Sequence, residues 1–333
     1  MIPAFASHAK GPAALHVLSG KYRIDGRVCV MHSRSVLVFA AIARAAAGRK
    51  HAAALRLAAA LVLAAGLPAC QREIATGPSA EPSQSGQTGD TIFSDDFEAE
   101  TLAAWQDGID PARHRLVTDP GSAQSGSRYL AVTYPPGEDG GWLTRFFMPG
   151  YDAVHVSYHV RFPDDWRGGT KLIALYGSRT DDQWSAFGKA GVCPDGNDFF
   201  AAMVVADRGG HPGPARFYTY FPAMSREPNG VTCWGRFGDG SETYVEPLVL
   251  DRGEWHRVEL SVTLNTPGQS NAHQRFWLDG VERGQWSGFS LRNTDMLRLN
   301  SVQLTFSTDA DSRPRELHVD NLVVSAGSRS GAD

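Results

Sequence analysis

Ala215-Arg-Phe-Tyr-Thr-Tyr-Phe221 reads as a strand with two unlike faces. Side chains alternate across a strand, so Arg216, Tyr218 and Tyr220 share one side while Phe217, Thr219 and Phe221 share the other. One side is dry and suits a core. The other carries two phenols and a guanidinium, which is a working surface. The plainer reading is a pair of half-buried tyrosines whose hydroxyls are satisfied by neighbours.

Outward from this strand the chain repeats the same grammar. From Thr91 on, short alternating runs separated by Gly, Pro, Asn and Asp replace any helical period. The runs are 91–97, 113–118, 128–134, 142–148, 153–162, 170–176, 199–206, 214–221, 243–250, 255–264, 273–279, 301–307 and 315–325. A set of strands like this predicts an all-β fold, a two-sheet β-sandwich of the jelly-roll, concanavalin A-like type. Asp279-Gly280 signals a tight hairpin. The last strand, Leu317 to Ser325, is expected to pair near the first, Ile92 to Phe97. Residues 91–326 are read as one domain and 327–333 as a disordered tail.

Two strands flank the argument about function. Gly168-Gly-Thr-Lys-Leu-Ile-Ala-Leu-Tyr-Gly177 places Lys171 between a Gly-Gly turn and a buried-looking strand. Lys171 and Lys189 are the only lysines after Cys70, against twenty-one arginines. Arg stays protonated at any working pH, whereas a desolvated Lys can release its proton. That makes Lys171 an acid–base candidate, with a surface lysine as the ordinary alternative. In 153–162, His155, Ser157, His159 and Arg161 form a polar side that fits a cleft wall or solvent. Ser301, Gln303, Thr305 and Ser307 form a polar ladder suited to a sugar groove or an exposed sheet. Trp255, Trp277 and Trp286 could stack on sugar rings, although the first two suit a core.

Charge narrows the partners. Residues 1–70 hold nine basic residues and one acid, which leaves 23 basic against 35 acidic in the rest. An acidic body argues against nucleic acid, which needs a basic footprint. A polyanionic substrate would have to meet a local cluster, for which Arg208, Arg216, Arg226 and Arg236 are placed. Cys193 and Cys233 lie in Gly/Pro-rich loops; in an exported chain they most simply form a disulfide, with free thiols as the alternative. The chain has no Cys/His spacing for a metal, and no cofactor is expected.

The N-terminus reads as an address. Arg49-Lys-His is followed by an apolar run from Leu57 to Leu67, too short for a stable span. Leu67-Pro-Ala-Cys70 resembles the lipobox of bacterial lipoproteins. That implies a signal segment within 1–70, a lipid anchor on Cys70, and export to the outer membrane, periplasm or cell surface. Met31 is one possible start. Residues 71–90 are Gly, Pro, Ser, Thr and Gln-rich, a disordered tether. Contact with membrane would be through the anchor alone, and the protein is expected to be a monomer.

An ordered set of segments resembles polysaccharide lyase family 14, which includes jelly-roll alginate lyases. The segments are Tyr158-His-Val-Arg-Phe162, Gly168 to Gly177, Phe217-Tyr-Thr-Tyr-Phe-Pro222, Gly253-Glu-Trp-His-Arg-Val-Glu259, Leu264 to Gly268 and Arg275-Phe-Trp-Leu-Asp-Gly280. The resemblance spans about residues 150–325 and implies Lys171, Tyr218 and Tyr220 as catalytic groups. The chain departs from the family in an extra Thr170 before Lys171. It also lacks the Arg that usually follows Met-Trp, since Met203 is followed by Val-Val-Ala-Asp-Arg208. Arg208 or Arg216 would then hold the uronate carboxylate, with Tyr176, His159 and Gln303 as further substrate-binding candidates.

Cleaving an acidic polysaccharide such as alginate by β-elimination needs a neutralised carboxylate, a base at C5 and an acid for the leaving oxygen. Arg, Lys and Tyr supply these roles. A hydrolase needs two opposed carboxylates, and Glu254, Glu259 and Glu316 are isolated. A carbohydrate-binding, lectin-like envelope lipoprotein is the rival reading, and a purely structural lipoprotein the third.

Overall fold

The computed structural model describes residues 21–24, 27–30, 89–208, 212–235, 243–244, 250–307 and 313–329. Two compact units divide the chain, Met1–Ser83 and Gln84–Asp333. In the first, β1 (Lys21–Ile24) and β2 (Arg27–Val30) form an antiparallel ribbon. The lipobox with Cys70, the apolar run before it and the expected tether up to residue 88 lie outside the described residues.

The second unit is built of β3 (Thr91–Asp95), β4 (His114–Thr118), β5 (Arg128–Tyr134), β6 (Trp142–Tyr151), β7 (Ala153–Arg161), β8 (Thr170–Arg179) and β9 (Phe200–Arg208). They are followed by β10 (Pro212–Tyr220), β11 (Thr243–Tyr244), β12 (Trp255–Thr263), β13 (Ala272–Leu278), β14 (Val281–Phe289), β15 (Leu297–Thr305) and β16 (Arg315–Ala326). No helix occurs among the described residues. One sheet has the order β10-β9-β8-β15-β6. The other runs β11-β14-β13-β12-β7-β16-β5-β4, with β3 also on β16. This is the all-β, two-sheet jelly-roll sandwich that the alternation predicts. The pairing of β3 with β16 joins the ends of the domain as expected, with Val324 opposite Phe93.

The core forms where the apolar sides of the two sheets meet. Phe217 of β10 meets Phe276 of β13 edge-on at 5.0 Å, and Phe221 meets Trp286 at 5.1 Å. Thr219, between these two phenylalanines, is fully buried, and Gln274 Nε2 of the facing sheet donates to its Oγ1 at 2.9 Å. A buried amide and hydroxyl thus satisfy each other across the interior, as buried polar groups must. β7 contributes Val154, Val156, Tyr158 and Val160, and Phe162 follows at its end, all buried.

Several expectations need correction. β14 is a strand that the alternation does not announce, because its Gly284 and Gly288 break the apolar rhythm. Gly284 is there for space: a Cβ at this position would come within 2.4 Å of the Phe276 ring. β15 starts at Leu297 rather than 301, and of the expected strand 243–250 only Thr243–Tyr244 is described as one. Gly327–Arg329, expected as disordered, lie on the nine-stranded sheet. Gly327 N–H donates to the Ala153 carbonyl, and the Arg329 guanidinium sits 4.7 Å over the Trp277 ring.

The Thr219–Gln274 pair gives a test of the sandwich interior. Thr219→Val should lower unfolding free energy by about 1–3 kcal/mol, because it strands the buried amide. Adding Gln274→Leu should recover part of that loss in urea titrations. A double variant that is less stable than the single one would contradict the pairing.

Candidate active site

The side of the five-stranded sheet turned away from the interior carries the working face of β10. Register lays its residues out in rows across neighbouring strands about 5 Å apart. Arg216 is opposite Val205, and Val205 is opposite Lys171. The next row is Tyr218, Met203, Ala174, Gln303 and Thr144. The third is Tyr220, Ala201, Tyr176, Ser301 and Phe146. The structure therefore brings together Lys171, Tyr218, Tyr220, Arg216, Tyr176 and Gln303.

Lys171 reaches this face through a break in register. Between Lys171 and Ile173 the pairing of β8 with β9 shifts, so that Leu172 is an extra residue. Lys171 and Tyr176 are an odd number of residues apart and would face opposite ways in an even ladder. The bulge restores them to one side. The turn before Lys171 is fixed on several sides. Gly168 has φ +81°, and its carbonyl accepts from Trp166 Nε1 at 2.9 Å. Tyr134 Oη and Thr170 Oγ1 are 3.1 Å apart, and Lys171 N–H donates to the Ser307 carbonyl.

A cleft of about 490 Å³ opens on this face, and both Lys171 and Lys189 line it together with Tyr176, Tyr220 and Gln303. Lys171 Nζ lies 5.8 Å from the centre of the Tyr218 ring. The Tyr218 and Tyr220 rings meet edge-on at 5.8 Å. Tyr218 is half-buried beneath Gly235, where a Cβ would come within 2.5 Å of its ring. The Cys193–Cys233 disulfide, with S–S 2.01 Å, ties this loop to the segment at Gly191. Both expected cysteines are thus paired.

Burial sets the proton chemistry. It pulls the Lys171 ammonium below the usual 10.5, with Asp139 acting weakly the other way. It pushes the Tyr220 phenol well up, helped by the charge and the hydrogen bond of Tyr218. The backbone N–H groups of Gly191 and Gly235 pull against it. Burial likewise keeps Tyr176 protonated. Tyr176 Oη donates to Gln303 Oε1 at 3.3 Å, and Gln303 Nε2 donates to Thr144 Oγ1 at 2.9 Å, which fixes the amide's orientation.

Not every expected residue belongs here. His159 sits on β7 in the other sheet, opposite Arg257 and Asp320 and away from the cleft. Its imidazole is held down to about 4 by burial and by Arg257, so it stays neutral. Arg208 ends β9, and its side chain lies outside the described residues, as does Arg236. Arg226 is an exposed loop residue whose guanidinium donates to the Gly230 carbonyl. The expected arginine cluster therefore reduces to Arg216 on this face among the described side chains. Trp277 and Trp286 are buried, and Trp255 donates to the Ser122 carbonyl on the other sheet. The exposed aromatic platforms are Trp142 and Trp184 at the cleft, 45% and 48% exposed. Trp142 Nε1 donates to Asp107 Oδ2 at 2.8 Å, and Trp184 packs on Phe146 at 4.8 Å. Neither was anticipated, although Lys189 carried a signal in its rarity. It pairs with Asp198 at 2.6 Å.

The family model described as Polysaccharide lyase 14 matches residues 141–309, just over half of the chain. Among solved structures, the marine PL-14 alginate lyase from Aplysia kurodai aligns at TM-score 0.55 and 16% identity, over 71% of this chain and 99% of that one. Alginate lyase Aly36B aligns at 0.51 and 16%, over 66% and 86%. Alginate lyase vAL-1 from Chlorella virus aligns at 0.50 and 13%, over 67% and 93%. At such identities the likeness concerns the fold. No curated protein matches.

The lowered Lys171 value has a consequence for stability. Between the folded value and 10.5 the unfolded chain binds more protons, so stability rises with pH across that window. Lys171→Met removes the penalty of burying an ammonium. It should be more stable than the parent at neutral pH, with the gap closing as pH rises toward 10.5 in denaturant titrations. A gap independent of pH would show that Lys171 is not desolvated.

Proposed function

Because the chain belongs to the polysaccharide lyase 14 family, we propose that it cleaves a uronate-containing glycan such as alginate by β-elimination in this cleft. The observation that carries the reading is the convergence of one depressed amine and two phenols, with a guanidinium in the adjoining row.

The roles follow from which group holds its proton. Arg216 pairs with the C6 carboxylate through its planar fork, which makes the C5 hydrogen acidic. The Lys171 amine takes that proton, its burial having raised the neutral fraction. The electron pair of the C5–H bond becomes the C4–C5 double bond and the C4–O bond breaks. Tyr220, held protonated, gives its proton to the departing oxygen. Tyr218, hydrogen-bonded to Tyr220 and beside Lys171, links donor and acceptor. Tyr176 and Gln303 contact sugar hydroxyls, and Trp142 and Trp184 carry pyranose rings further along the chain. Export and tethering through Cys70 belong to the same proposal and are supported by the Leu67–Cys70 pattern.

A panel of alginate and other polyuronates, read by ultraviolet absorbance of the unsaturated end, tests the activity. Product is expected from at least one polymer. Lys171→Arg should cost about 10²-fold or more in kcat, since a guanidinium cannot accept the proton. Glycan binding without absorbance from any polymer would favour the lectin-like reading instead. For the anchor, labelling cells with a fatty acid should mark the parent but not Cys70→Ser; equal labelling refutes the lipobox.

A further inference from the structure

Tyr158 is the one polar side chain on the interior side of β7, in a row with Val154, Val156, Val160 and Phe162. It is fully buried, and burial keeps its phenol protonated. A buried hydroxyl needs a partner, and a phenylalanine would fill the same volume without that demand. The partner is specific. Tyr158 Oη crosses from the nine-stranded sheet and donates at 3.0 Å to the carbonyl of Leu172. Leu172 is the residue left over where β8 shifts register against β9, next to Lys171. A bulge disturbs the ladder locally and leaves a backbone group in need of another partner.

We infer that Tyr158 is a positioning residue for the reaction: its hydroxyl holds the Leu172 bulge, and the bulge turns Lys171 into the cleft. Without that bond an even register becomes competitive, and in it Lys171 points into the apolar interior or β8 loosens to avoid this. Tyr158 touches no substrate. It acts through the Leu172 carbonyl on the neighbouring Lys171, whose amine does the chemistry and for which small misplacement is costly. The inference rests on the lyase reading for its kinetic consequence, while its structural half stands on the hydrogen bond and the register alone.

The test compares Tyr158→Phe with Val324→Ala, a buried change on β16 of the nine-stranded sheet that has no part in the bulge. In the full chain, Tyr158→Phe is expected to lower kcat on alginate about 10- to 100-fold with KM within about twofold. Val324→Ala should lose heat stability yet keep kcat. The Lys171 amine can be followed independently by NMR after reductive methylation with labelled formaldehyde, its signal assigned by its loss in Lys171→Met. In Tyr158→Phe that amine should titrate nearer the ordinary 10.5 than in the parent. An unchanged kcat and titration in Tyr158→Phe, or activity losses in both variants that merely track stability, would overturn the inference. If the parent releases no product from any polyuronate, the lyase reading fails, and the Lys171 titration still decides the positioning role.

Discussion

Lys171 and Tyr176 lie on one strand, and an uninterrupted ladder would send their side chains to opposite sides of the sheet. The extra residue at Leu172 brings both to the cleft. The rest of the site depends on this shift. It sets the amine in the row of Arg216 and one row from Tyr218, so that the charged and phenolic groups form a block on β8 and β10, either side of β9. The opposite side of the same strands stays apolar and packs on the second sheet through Phe217 and Phe276. A single backbone irregularity separates a sheet with a reactive face from one whose lysine would be forced into a core.

The environment then does opposite things to the two kinds of group. Desolvation penalises charge of either sign, so it lowers the Lys171 amine and raises the Tyr220 phenol. The phenol is thereby held protonated and able to give a proton, while the amine gives up its own more readily than an ordinary lysine does. The loop stapled by Cys193–Cys233 contributes to this by covering the tyrosines. Gly235 leaves room for the Tyr218 ring, while the backbone N–H groups at 191 and 235 partly offset the effect of that cover on Tyr220. An acidic body with both of its late lysines in one cleft also concentrates positive charge where an anionic polymer would bind.

Much of this was legible in the residues, and the reasons are physical. Alternation in Ala215–Phe221 separates dry from wet side chains whatever the neighbours are, so the faces of β10 could be assigned in advance. Rarity picked out Lys171 among the arginines. His159 misled because alternation says which residues share a side but not which sheet a strand joins; β7 lies in the sheet without the cleft. Trp142 and Trp184 were missed because their stacking depends on Phe146 and Asp107, brought near by β6 and the loop before β4. The bulge was equally hidden, since the register of β8 is set by β9 and by a tyrosine on another sheet. β14 escaped because its Gly284 answers to the Phe276 ring, and its Gly288 to a positive φ, rather than to any apolar rhythm.

The most direct measurement is a crystal structure of Lys171→Ala with a uronate tetrasaccharide bound. The sugar chain should lie along the five-stranded sheet, with one carboxylate on Arg216, the adjoining glycosidic oxygen within hydrogen-bond reach of Tyr220, and a ring against Trp142 or Trp184. A chain bound instead on the outer side of the nine-stranded sheet, near His159, would contradict the assignment of the site.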